Sequence, residues 1–299
     1  MAIGPGGTPT IPPKKNALLD DERTAARWSM YTMLMLTSIA HFLTREMGPQ
    51  LIPFICDEFG FDAQQRGVLL GAYFPGYVVG QLPAAMLADR IGGKRVISLS
   101  LWGTVAMMLL TGPTASSIPA AFVITTVLGF AGGPLYPVHG ILKRDWMPQS
   151  LGSERAMALR VTNYGMQVGR FLTAILTPVI ASKWGWRAPP VVYGAATAIL
   201  ALPWEFWASD NPGKWNGWPK MGAGERELLT GEDSAVPAAA AKKPEVRPFP
   251  WKLLVTMPAI APMLMHTADN MGTYCFSYWA PTYFQRKMYL LSRFAYACR

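Results

Sequence analysis

Apolar residues fall along this chain in long blocks separated by short charged segments, and the blocks do not alternate with polar residues as strands would. Residues 67–88 contain no Asp, Glu, Lys or Arg. About twenty-two residues at about 1.5 Å of rise each cross a hydrocarbon core about 30 Å thick. The same reading predicts helical spans at 28–56, 67–88, 96–112, 118–142, 157–182, 189–207 and 251–284. Within the second, Gly71, Ala72, Gly76, Gly80, Ala84 and Ala85 form a stripe without bulk that lets another helix approach closely. The first is interrupted by Arg45-Glu46 and by Pro49, which has no N–H to offer the carbonyl of residue 45. The fourth carries a break at Gly132-Gly133-Pro134-x-x-Pro137.

The polar segments complete the organisation. Residues 1–27 read as a mobile tail without the apolar core of a secretory signal, and 28–207 as a six-helix bundle. Residues 208–250 read as a polar linker with a short helix at 224–229, followed by a seventh span at 251–284 and an atypical end at 285–299. Trp204, Phe206 and Trp207 close the sixth span at an interfacial level. An odd number of spans places the two termini on opposite sides. Arg90, Lys94, Arg95, Lys143, Arg144, Arg155 and the bases of the linker share one side, so the amino terminus and the linker are expected to be cytoplasmic.

Composition agrees, with 51% hydrophobic and 15% charged residues in 299. The net charge of +9 lies in short loops between spans, which argues for orientation in a bilayer and against nucleic acid. Cys56, Cys275 and Cys298 lie far apart, and the three histidines add no zinc spacing. No metal, cofactor or disulfide framework is expected, and no hydrolase or metalloprotease signature suggests an enzyme.

Ionisable residues inside spans are costly and become functional candidates. Arg45 lies in the first span with His41 one turn earlier on the same face; its alternatives are an internal pair with Glu46 or a snorkelling side chain. Arg170 shares a stripe with Asn163 and Gln167 in the fifth span and suits either an anion or an acid elsewhere in the bundle. In the seventh, His266, Asp269, Asn270, Thr273 and Tyr274 are expected on one polar face, with Asp269 and Asn270 as the site of a coupling cation or proton and His266 as a packing residue. Tyr73, Tyr77 and Gln81 line one side of the second helix.

Two stretches carry a resemblance. Asp89-Arg90-x-Gly92-x-Lys94-Arg95 resembles the loop after the second helix of major facilitator transporters. Phe74-x-Gly76-Tyr77-x-x-x-Gln81-x-Pro83 resembles the second helix of their anion:cation symporter family, which includes vesicular glutamate, sialin-like and type I sodium-phosphate carriers. Asn270-x-Gly272-x-Tyr274 and Trp279-x-Pro281 are similar to that family's seventh helix.

The resemblance implies an all-α membrane protein of major facilitator type: a six-helix amino-terminal bundle plus one helix of a second half, hence a truncated chain. It implies a secondary carrier of a small organic or inorganic anion, phosphate- or carboxylate-like, coupled to Na+ or H+. Arg45, Tyr77 and Gln81 match the family and would bind the anion, joined by Arg170 and Gln167 from the polar stripe of the fifth span, where the symporters do not usually carry an arginine, and Asp89, Arg90, Gly92, Lys94 and Arg95 would form a conformational loop. The alternative is a non-transporting partner that associates with a full-length carrier in the bilayer. The pattern departs at Thr125 and Gly132, where the symporters carry an arginine and a glutamate.

Overall fold

The computed structural model describes residues 25–114, 117–147, 152–215, 217, 219–222, 225–226, 229 and 256–297. Every regular element among them is helical. Helix α1 (Ala25–Arg45) is followed after one turn residue, Glu46, by α2 (Met47–Phe59). Gly60 closes α2 at φ 66°, and the Asp62/Gln65 capping box opens α3 (Ala63–Gly71).

The stretch expected to be one helix over 67–88 is three: α3, α4 (Tyr73–Gln81) and α5 (Ala84–Ile91), with a bend of 43° between α3–α4 and α5. Pro75 and Pro83 explain the pieces, since neither donates to the carbonyl four residues before it. Next come α6 (Gly93–Thr114), α7 (Ile118–Gly132) and α8 (Leu135–Trp146), the last two divided at Gly133-Pro134 as the sequence suggests. The set is completed by α9 (Gly152–Trp184), α10 (Ala188–Trp207), a 3-10 turn at Pro212–Lys214 and α11 (Met257–Ala297). Helix α11 continues past the boundary expected at 284, because 285–297 contains no glycine, proline or capping residue pair to stop it.

α1 packs along α9, α4 on α7, and α6 against α7 and α10, while α11 lies against α2. Small residues set the closest of these contacts. A methyl group at Gly76 or Gly80 would overlap the Thr126 or Phe130 carbonyl of α7, and one at Gly133 would come 2.7 Å from the Tyr77 carbonyl. Gly71, expected in the same stripe, faces open space. The outer surface is apolar: Leu82, Met86, Leu99, Phe171, Ile199 and Phe206 are all exposed. Gly93–Gly112 and Ile118–Trp146 are each long and apolar enough to cross a bilayer, and the bent 63–91 pair makes a third such segment. A surface of this kind is that of a multi-pass membrane protein.

Both ends of the bundle are tied. At one, Arg27 is buried between Glu154 and Glu225, with Nε 3.4 and 3.3 Å from their carboxylates, and its backbone N–H donates to Glu225 at 2.9 Å. The start of the linker thus packs beneath α1 and α9, where Trp146, Trp204 and Trp215 form an aromatic floor. At the other end, Glu58 accepts from Trp186 Nε1 at 2.6 Å and pairs with Arg187 at 2.9 Å.

Candidate functional site

One face of α1 carries buried polar residues at one-turn intervals: Thr37, His41 and Arg45, flanked by Ser38 and Thr44. The hydroxyls satisfy themselves on their own helix, Thr37 and Ser38 donating to Leu34 at 3.0 and 2.9 Å and Thr44 to His41 at 2.9 Å. Two groups on this face are left over. Neither His41 Nε2 nor Arg45 Nε has a hydrogen-bond partner among the described residues, although both side chains are buried.

Aromatic rings surround the Arg45 guanidinium, with centroids at 4.8 Å for Tyr77, 5.2 Å for Tyr274, 5.6 Å for Tyr73 and 5.7 Å for Phe42. Such faces stabilise a desolvated cation without neutralising it. Arg45 donates a short hydrogen bond to the Tyr274 hydroxyl and has no carboxylate partner among the described residues. It borders a cavity of about 70 Å³ that reaches Tyr73, Tyr278, Thr125 and Leu128 and whose lining is otherwise uncharged. A permanent cation with an unused donor at the edge of a largely apolar cavity is suited to an anion.

The other expected site residues are arranged differently. Gln81 is half-buried beside the Tyr77 hydroxyl. Arg170 stacks on Phe42 at 4.8 Å and meets Glu46 at 3.4 Å, so the acid named as an alternative partner for Arg45 pairs instead with α9. Gln167 and Asn163 are exposed on α9.

On α11 the grouping of five residues on one face does not hold. Residues 269 and 274 are about 140° apart at 3.6 residues per turn, and the bundle side takes Tyr274, Tyr278 and Thr282. Asp269 and His266 are exposed, Asn270 is half-buried, and none of the three is brought to Arg45. Phe42, Tyr278 and Glu46 were missing from the expected set, since rings in apolar helices and an acid beside an arginine carry no distinguishing signal in sequence. Among the described residues no cluster of His, Cys, Asp or Glu is placed to hold a metal ion.

The loop after α5 is held from outside its own sequence. Gly92 takes φ 94°, Asp210 accepts a short hydrogen bond from the Lys94 N–H, and Trp204 Nε1 donates to the Lys94 carbonyl at 3.2 Å. The Asp210 carboxylate sits against Gly92 where a side chain would go. Asp89, Arg90 and Arg95 project outward and Lys94 is half-buried.

This helical arrangement agrees with comparison to known proteins. Residues 34–297 match the Major Facilitator Superfamily, and the chain belongs to that family. It is similar to "Probable anion transporter 4, chloroplastic" of Oryza sativa subsp. japonica, at 24% identity over 94% of this chain and 47% of the relative. "Sodium-dependent phosphate transport protein 1, chloroplastic" of Arabidopsis thaliana is 24% identical over 77% of this chain and 43% of its own length. "Probable galactarate/D-glucarate transporter GudP" of Bacillus subtilis is 27% identical over 61% and 41%. These relatives bear out the anion:cation symporter resemblance, and all are named as transporters. The chain spans less than half the length of each.

Proposed function

We propose that the chain forms the anion-binding region of a secondary membrane transporter for small anions, phosphate- or carboxylate-like, with Arg45 as the anion's charge partner. The observation that carries this reading is the buried Arg45 guanidinium, without an acidic partner among the described residues and with Nε unused, at the edge of an apolar cavity. Arg170 plays a secondary role because Glu46 offsets its charge. Coupling to Na+ or H+ belongs to the same reading, as does a cytoplasmic placement of the end bearing Arg27 and the linker. The exposed Gln167, Asn163 and Asp269 lie on helices of membrane-spanning length and favour cover by further helices, whether of the same kind of chain or of another carrier.

Binding of inorganic phosphate and of glucarate to the purified chain tests the site. Arg45→Lys keeps the charge but loses the planar fork, and weakens binding by about tenfold or more. Unchanged affinity in that variant removes Arg45 from the site.

A further inference from the structure

The two histidines of the bundle interior differ in one respect. His139 Nε2 lies 3.0 Å from the Thr37 hydroxyl, whose proton is already directed at the Leu34 carbonyl, so the histidine donates and is satisfied. His41, one turn along α1 from Thr37 and one turn before Arg45, leaves Nε2 without a partner while only 4% exposed. A buried polar atom left unmatched carries a free-energy cost that a structural role does not explain.

Its surroundings lead back to the cavity. Gly132 of α7 lets His41 and Tyr73 pack together there: a methyl group at that position would lie only 3.0 Å from His41 Cε1 and 2.8 Å from the Tyr73 hydroxyl, too close for either to stay in place. Tyr73 is itself part of the cavity lining. The groups facing His41 are Arg45 on its own helix, Tyr73 and Tyr77 on α4, and Tyr136 and His139 on α8. Glu46 and Arg170 lie farther along, across Phe42, and are engaged with each other. Among the described residues Arg45 is therefore the one permanent charge directly beside the ring.

We infer that His41 binds a proton in concert with an anion on Arg45, which makes this histidine the proton-coupling residue of the site. The inference rests on the anion-site reading above. With the site empty, burial first and then the Arg45 cation oppose a positive charge on the ring. At about 6 Å and an effective dielectric of about 20 the Arg45 share is on the order of a hundredfold in proton affinity. An anion on the guanidinium cancels the Arg45 share of that opposition, and a proton from water then adds to the free ring nitrogen to give imidazolium. By reciprocity a protonated His41 raises anion affinity by the same factor. Anion and proton are bound and released together, with no separate carboxylate required.

The test is glucarate binding to the full chain in detergent, by calorimetry, between about pH 5.5 and 8, where glucarate keeps its charge and histidine titrates. Wild-type affinity rises as pH falls, most steeply at the acid end, by at most about tenfold per pH unit. Buffers of different ionisation enthalpy register proton uptake with each anion bound. His41→Gln and His41→Asn bind with affinity independent of pH and without proton uptake. Inorganic phosphate is compared in the same way, its own titration cancelling between wild type and variant.

Wild-type binding without proton uptake overturns the inference, and because that measurement needs no variant it stands even if both substitutions misfold. Retention of the pH dependence in His41→Gln together with its loss in Glu46→Gln assigns the proton to the Glu46–Arg170 pair and equally overturns it. Binding of neither glucarate nor phosphate at any pH overturns the anion site itself, a distinct result.

Discussion

A guanidinium enclosed by ring faces is held by many weak attractions, with one directional bond that sets its orientation. For Arg45 that bond goes to the Tyr274 hydroxyl of α11, 229 residues away. Tyr274→Phe keeps the ring and its cation–π contact while removing the acceptor. We expect it to cost about 1.5–3 kcal/mol, the usual worth of a hydrogen bond to a charged group, and to lower the thermal unfolding midpoint followed by tryptophan fluorescence. A midpoint equal to wild type would show that the rings alone hold the group.

At this scale the sequence was readable wherever a single residue violated its surroundings. Arg45 stood out as a charge in an apolar run, and Tyr77 and Gln81 through the family pattern. Pairings were not readable. Nothing in Glu46 or Arg170 announces a contact between them, and Asp269 was misplaced by grouping residues whose spacing a helix separates.

Between elements, the determining contact is α4 on α7, where backbone meets backbone through Gly76, Gly80, Gly129 and Gly133. It brings Tyr73 and Tyr77 to the level of Arg45. Gly76→Ala adds a methyl group that overlaps the Thr126 carbonyl, so the helices must separate. We expect a loss of about 1–3 kcal/mol and weaker anion binding. Gly71→Ala, which meets nothing within 4 Å, is the matched control and should unfold as wild type does. Equal stability of the two variants would exclude close α4–α7 packing. The small-residue stripe was legible in sequence, but which of its members touch a neighbour depends on breaks at Ala72 and Pro83 that turn Gly71 away.

Over the whole bundle the two ends respond to pH with opposite sign. Hydrogen bonds from Arg187 and then Trp186 hold the Glu58 carboxyl below its usual range. Its contribution is therefore present above the unfolded-state value and lost as pH falls through the lower folded one. At the other end burial pushes the Glu154 and Glu225 carboxyls up, with Arg27 pulling the other way. A raised carboxyl contributes stability that is complete below its unfolded value and lost as pH rises through the folded one. Glu154→Gln should accordingly raise the unfolding midpoint more at about pH 8 than at about pH 5, and an equal shift at both would refute the sign.

The anchoring of the α5–α6 loop has a consequence for how the chain is made. The Lys94 N–H at the start of α6 is met by the carboxylate of Asp210, 116 residues downstream. At about 5–20 residues per second, synthesis takes on the order of ten seconds to reach it. During that interval the loop lacks its lock, and α1–α9 must wait with that turn unfinished. Asp210 thus ties the final shape of this loop to the completion of α10: a chain halted before residue 210 leaves the turn without that hydrogen bond.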